Sequence, residues 1–201
     1  MAVYPGDSYF VLERRLKPGV QRWLGRLLGP LVNLLCRLRI SPDVVSSLQL
    51  PLAVGFFCTL PRWPRAGLVL WLLALLCDSV DGMVARRQGR ASAFGALWDQ
   101  ACDHCREILV VAALAHYRLV SPLAATLYAF AYPAHNLALL LCNRHGVPLL
   151  FSLKTYLVLY PALIAYLGWG VNRLTLALVV AVLAMSASTG LALWRLRGAM
   201  G

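Results

Sequence analysis

The sequence predicts an all-α integral membrane protein, with six transmembrane helices preceded by an N-terminal amphipathic helix at the membrane interface. Three observations carry this fold class. Apolar stretches of about 20 residues recur along the chain, the length a helix needs to cross a hydrocarbon layer of roughly 30 Å. The composition is 60% hydrophobic and only 13% charged, whereas a soluble domain alternates apolar and polar positions at helical or strand period. The basic residues that bring the formal charge to +11 gather at the ends of the apolar stretches and in the N-terminal arm, where cations face anionic headgroups.

In chain order, residues 1–43 read as a juxtamembrane arm and 44–201 as a six-helix transmembrane domain, one domain overall. The first 15 residues carry Asp7 and Glu13 and no apolar core, so no cleavable targeting segment is expected. Val20, Trp23, Leu24, Leu27, Leu28, Leu31, Leu34, Leu35 and Leu38 then repeat at helical spacing, with Arg22, Arg26 and Arg37 off that stripe. Such a helix lies in the interfacial plane; the alternative is an ordinary amphipathic helix packed on protein. Pro30 is expected to kink it. Ser41-Pro42-Asp43 supplies an N-cap and a first-turn proline for the next helix. The spans follow at roughly 44–60, 66–85, 93–117, 121–142, 150–169 and 174–194, joined by short connections rich in Pro, Gly and Arg.

Orientation follows from the cations. One side collects Arg14, Arg15, Lys17, Arg22, Arg26, Arg37, Arg39, Arg86, Arg87, Arg90, Arg144, Arg195 and Arg197. The other has Arg62, Arg65, Arg118 and Arg173. With the intramembrane Arg106 and Lys154 left out, this thirteen-to-four asymmetry places both termini in the cytoplasm. No stacking-aromatic motif accompanies the positive charge, so nucleic acid is not an expected partner. The six cysteines are scattered through apolar segments; Cys102 and Cys105 have C-x-x-C spacing, but nothing completes a zinc set. They read as small buried hydrophobes.

Chemistry concentrates in the second and third spans. Of eight acidic residues, five fall between positions 78 and 107: Asp78, Asp81, Asp99, Asp103 and Glu107. Each charge at a span centre costs on the order of 3 kcal/mol on insertion scales, and Arg86 and Arg106 cannot neutralise five carboxylates. Asp78, Asp81, Gly82 and Ala85 share one helix face, and Gly95, Asp99, Asp103 and Glu107 step by four along another. The short loop between the spans makes them antiparallel neighbours with acidic faces opposed. Four aspartates meeting this way form an oxygen-rich site suited to Mg²⁺ or Mn²⁺.

The run Asp78-x-x-Asp81-Gly82-x-x-Ala85-Arg86, then a spacer of eight residues and Gly95-x-x-x-Asp99-x-x-x-Asp103, resembles the CDP-alcohol phosphotransferase signature. All eight fixed positions are present across 26 residues. The resemblance implies an enzyme of phospholipid synthesis that transfers a phosphatidyl-type group from a CDP-linked lipid to an alcohol acceptor, releasing CMP. It implies two metal ions, held by Asp78, Asp81, Asp99 and Asp103, that grip the CDP diphosphate, with Asp103 as general base toward the acceptor hydroxyl. Gly82, Ala85 and Arg86 would line the cytidine and phosphate region, and Gly95 would allow close approach from the facing helix. A homodimer is also implied. The site then opens on the cytoplasmic side, since Asp78 and Asp81 end a span running that way and Asp99 begins one running back.

Outside the signature, Arg106 lies two turns after Asp99. It binds an acceptor phosphate, or pairs with Asp103 or Glu107. Lys154, five residues into the fifth span, binds acceptor or snorkels to the interface. Arg144 borders the cytoplasmic mouth and serves either substrate's phosphate or a headgroup. His104, His116, His135 and His145 show no ligand spacing. Glycerol 3-phosphate and inositol phosphate are the first acceptor candidates; serine, choline, ethanolamine or another phospholipid are the alternatives. His104 stands where many glycerol-phosphate-using members of the resembled family carry lysine, which weakens the first of these. An intramembrane prenyltransferase would spread its acidic motifs further apart, and a cation transporter would not need Gly82, Ala85, Arg86 and Gly95 at this spacing.

Overall fold

The computed structural model describes residues 10–200, and at positions 14, 17, 20 and 21 the backbone alone. Residues 1–9 of the expected arm, the Arg14 and Lys17 charges and Val20 of the stripe lie outside the described residues. The described residues form eight α-helices and no strand. These are α1 (Val11–Arg37), α2 (Pro42–Ser47), α3 (Gln49–Thr59), α4 (Pro64–Arg87), α5 (Ala93–His116), α6 (Pro122–Arg144), α7 (Thr155–Trp169) and α8 (Leu174–Met200). Proline opens α2, α4 and α6, where its missing N–H costs nothing and its fixed φ suits the first turn. Ser41 takes the N-cap position of α2, but its hydroxyl makes no capping bond. Its carbonyl receives the N–H of Val44 at 3.1 Å instead. α1 stays helical through Pro30.

Three helices, α4, α6 and α8, are long and apolar enough to cross a membrane. The other expected spans depart from that standard for separate reasons. The first is broken at Leu48 into α2 and α3, and together these turn 115° from the preceding α1 segment. α5 has the length but carries Asp99, Asp103, Arg106 and Glu107. α7 has 15 residues, about 22 Å at helical rise. The fifth span was expected from residue 150, yet 150–154 are not helical. Lys154 is therefore the residue that precedes α7, not a position one turn inside it.

The chain divides into two compact units. One is Gly19–Ala113. Here α3 and α2 both pack on α4, and Val32, Val45, Val80 and Val84 form a buried cluster flanked by Leu28, Leu35 and Cys36. The leucine stripe of α1 is thus wider than one contact. Leu28 and Leu35 turn inward, while Trp23, Leu27, Leu31, Leu34 and Leu38 remain exposed.

The other unit joins the residues up to Pro18 with those from Leu114 onward. α6 and α7 both pack on α8, the former around Leu139, Cys142, Leu149, Ala192 and Leu196. The start of α1 docks on the non-helical run before α7. The N–H groups of Val11 and Leu12 donate to the carbonyls of Leu149 and Leu150 at 3.0 and 3.3 Å. First-turn N–H groups have no partner within their own helix, and irregular backbone in an apolar setting needs partners from protein; each segment satisfies the other. Phe10 meets Phe151 edge-on at 5.4 Å, and Glu13 pairs with Lys154 at 2.9 Å. His135, buried, shares a 2.9 Å hydrogen bond with Ser152 in the same run. Cysteines divide as the apolar setting allows: Cys102 and Cys142 are buried, whereas Cys58 and Cys105 are exposed.

Candidate active site

Every residue of the acidic constellation lies within Gly19–Ala113. α4 carries Asp78, Asp81, Gly82, Ala85 and Arg86, and α5 carries Gly95, Asp99 and Asp103. The turn between them is set locally. Gly89 takes φ 65°, a left-handed conformation glycine adopts without steric cost, and the Arg90 N–H returns to the Ala85 carbonyl at 2.9 Å. Ser92 Oγ then accepts the Gly95 N–H at 2.9 Å and starts α5.

Asp78, Asp99 and Asp103 each offer one carboxylate oxygen, and the three lie within 4.8 Å of one another. Asp81 lies beside them, its carboxyl hydrogen-bonded with that of Asp99. Its Oδ2 also accepts the Ser46 hydroxyl at 2.6 Å, and its Oδ1 accepts the Gly82 N–H. Three residues along a helix advance 300°, so Asp81 sits about 60° round α4 from Asp78, between Ser46 of α2 and Asp99 of α5.

The donor set suits a hard divalent cation. All three groups are carboxylates, and Asp99 Oδ1 is buried with no hydrogen-bond partner. A buried acceptor left unsatisfied is rare, and gathered like charges are unfavourable without a cation between them. Oxygen donors of this kind fit Mg²⁺ or Mn²⁺ better than a softer metal.

α2 and the start of α3 brace this site, which the sequence reading did not anticipate. Besides Ser46, the Trp98 indole N–H donates to Ser47 Oγ at 3.0 Å and to the Asp43 carbonyl at 3.3 Å. Gln49 Oε1 accepts from Arg106. The signal available in sequence was three polar residues, Ser46, Ser47 and Gln49, early in a span otherwise apolar as far as Thr59, with Asp43 just before it. Gly95 belongs to the same junction. A Cβ there would stand 3.2 Å from Ser92 Oγ and in ordinary contact, 3.5 Å, with Asp43 Oδ1, so an alanine would press on the serine that starts α5. At Gly82 a Cβ would approach Arg86 Nη1 to 3.3 Å, which shows the guanidinium folded back over the glycine.

Of the three cations named for the acceptor, Arg106 lies in this unit. It is 2% exposed and bonds Asp103 at 2.9 Å as well as Gln49, so the pairing alternative is the one the structure displays. Arg144, exposed at the end of α6, and Lys154, tied to Glu13, belong to the other unit.

Three helices fit for a membrane, with clustered carboxylates on one of them, α4, and on the α5 that follows it, define a helical membrane protein with a metal-type acidic site. The chain belongs to the CDP-alcohol phosphatidyltransferase family, whose pattern matches residues 39–185. It is 40% identical over 111 residues to an uncharacterized protein of Aquifex aeolicus, covering 53% of this chain and 54% of the relative. It is 42% identical over 81 residues to an archaetidylinositol phosphate synthase of Aeropyrum pernix, covering 38% and 41%. It is 30% identical over 94 residues to a phosphatidylinositol phosphate synthase of Cutibacterium acnes, covering 46% and 45%. The matches thus span about half, or less, of these relatives' lengths. No solved structure matches.

Proposed function

We propose that this protein transfers a phosphatidyl-type group from a CDP-linked lipid, CDP-diacylglycerol or its ether analogue, to a phosphorylated polyol, with release of CMP. The observation that carries the reading is the carboxylate cluster of Asp78, Asp99 and Asp103 with its orphaned Asp99 oxygen, set in the family's signature spacing. Inositol phosphate stands first among acceptors, because two of the relatives above are named as an archaetidylinositol phosphate synthase and a phosphatidylinositol phosphate synthase. Glycerol 3-phosphate stands second, and an unphosphorylated alcohol is the alternative.

In this reading Asp78, Asp81, Asp99 and Asp103 hold two divalent ions, which when bound neutralise charge on the entering and leaving oxygens of an in-line displacement. Gly82 and Ala85 leave room for the nucleotide beside α4, and Arg86 faces its phosphates. Asp103 takes the proton of the acceptor hydroxyl, and Arg106 fixes the rotamer of that carboxylate through the 2.9 Å contact. Positioning and electrostatics do most of the work in phosphoryl transfer, which needs little covalent help from protein.

The same reading sets residues 1–43 as an arm at the cytoplasmic interface, with the exposed Trp23, Leu27, Leu31, Leu34 and Leu38 of α1 toward lipid. The rest is a single six-span catalytic domain, and α5, burdened with charge, crosses within the bundle where its acids face a wet cavity. The test is release of CMP from CDP-diacylglycerol by purified protein across a panel of acceptors, with and without chelator. Turnover with inositol phosphate that stops in chelator and returns with Mg²⁺ or Mn²⁺ is expected. Turnover in chelator, or with none of the acceptors, would refute it.

A further inference from the structure

Gln49 opens α3 between Leu48 and Leu50, in an apolar helix where leucine would pack without penalty. Its side chain is 0% exposed. The Arg106 guanidinium donates to its Oε1, and since an arginine has no acceptor, this contact fixes which end of the carboxamide faces which way. Nε2 is then left buried with no hydrogen-bond partner. A buried amide nitrogen in that state is expensive, and native structures tolerate few such groups without a reason. Holding Arg106 is not reason enough. Arg106 already bonds Asp103 at 2.9 Å, and a residue with an oxygen alone would serve the guanidinium equally well.

We infer that Gln49 contacts the acceptor substrate. Its Nε2 donates to an oxygen of the acceptor alcohol, a polyol hydroxyl or a phosphate oxygen, next to the hydroxyl that Asp103 deprotonates. The geometry favours this position because one carboxamide links the orphaned donor to Arg106, and Arg106 links it to Asp103. Both ends of the amide then have partners during turnover: Oε1 holds the arginine that orients the base, and Nε2 reads the molecule that the base acts on. The inference rests on the reading of the site as a phosphatidyl transferase. It adds a residue outside the signature, from the helix that braces both acidic helices, as a determinant of which alcohol is accepted.

Two substitutions separate the two ends of the amide. Gln49→Glu keeps an oxygen for Arg106 and has no N–H to offer, and Gln49→Met keeps the volume and loses both. The full chain in nanodiscs, with Mg²⁺ and CDP-diacylglycerol, is assayed against inositol phosphate and glycerol 3-phosphate. Both variants should lose about tenfold or more in kcat/KM for the acceptor that the wild type prefers. The KM for CDP-diacylglycerol should stay within about twofold. Wild-type acceptor kinetics in Gln49→Glu would overturn the inference, leaving Gln49 as a prop for Arg106 only. Equal losses toward donor and acceptor in both variants would overturn it too, since a general structural defect predicts that result. Loss with the inositol acceptor alone identifies a ring hydroxyl as the group read; loss with both acceptors identifies the phosphate they share. A wild type that releases no CMP with any acceptor would instead sink the transferase reading itself.

Discussion

Replacing Asp99 by asparagine should raise the stability of the metal-free protein and lower that of the metal-loaded one. The two carboxylates facing Asp99 have ligand oxygens within 4.8 Å of its own. At an effective dielectric of about 20, two unit charges at that distance repel by about 3.5 kcal/mol. Asp99 Oδ1 has no hydrogen bond to offset this, and Arg106 is committed to Asp103 on the same helix. Asparagine keeps the shape, removes the charge, and gives the site a donor that Asp78 can accept. After screening, a gain of about 1–3 kcal/mol is expected in chelator, a shift of several degrees in Tm for a chain of this size. With saturating Mg²⁺ or Mn²⁺ the wild type gains the free energy of binding to its folded form, and the variant, short of a ligand, gains less. The two melting curves should therefore exchange order between chelator and metal. Thermal unfolding of both proteins in one detergent, followed by tryptophan fluorescence, measures this directly. A variant less stable than wild type in chelator would refute the repulsive cluster. A wild type whose Tm ignores the metal would refute the cation site.

Asp103→Asn should retain CDP-lipid binding while turnover falls by about 10² or more, because the amide cannot take a proton; near-wild-type turnover would remove Asp103 from the role of base. Lys154→Met should destabilise the chain by about 1–3 kcal/mol, because it leaves Glu13 with the Tyr156 hydroxyl but no cation, and the two side chains of the ion pair are only 13% and 15% exposed. It should leave the acceptor KM within twofold, and a double-mutant cycle with Glu13→Gln gives the coupling. For topology, single cysteines at 63 and 172 should label with an impermeant reagent in intact cells while one at 90 does not. The reverse pattern would invert the orientation drawn from the basic residues.

The carboxylates were legible in sequence because charge inside an apolar helix is costly enough to need a purpose, and its spacing gives the helix face directly. What spacing could not give was rotation between helices. Asp78 and Asp81 share a face of α4, yet only the placement of Ser46 and Asp99 decides that Asp81 lies between α2 and α5. Ser46 and Gln49 were passed over because uncharged polar residues are ordinary in membrane helices, and a buried amide has no signature until its partners are known. Lys154 was misplaced for another reason. Leu149, Leu150 and Phe151 continue the apolar run of α7 in composition, so hydropathy extends the span through them. The docking of Phe10, Val11 and Leu12 is a long-range contact that hydropathy does not register, and it leaves the run outside the helix. Length and apolarity likewise found α4, α6 and α8, while the break at Leu48 is announced by Pro51, whose missing N–H cannot bond the Ser47 carbonyl.

The hydrogen bond from Ser46 to Asp81 ties the acidic face of α4 to the short helix α2. Asp81 accepts the serine hydroxyl at 2.6 Å and the Gly82 N–H, and its carboxyl also bonds that of Asp99 on α5. Ser46 Oγ lies 3.3 Å from the Pro42 carbonyl of its own helix as well. One carboxylate therefore joins three helices, and any shift of α2 is handed through a single serine to the acidic residues of both α4 and α5.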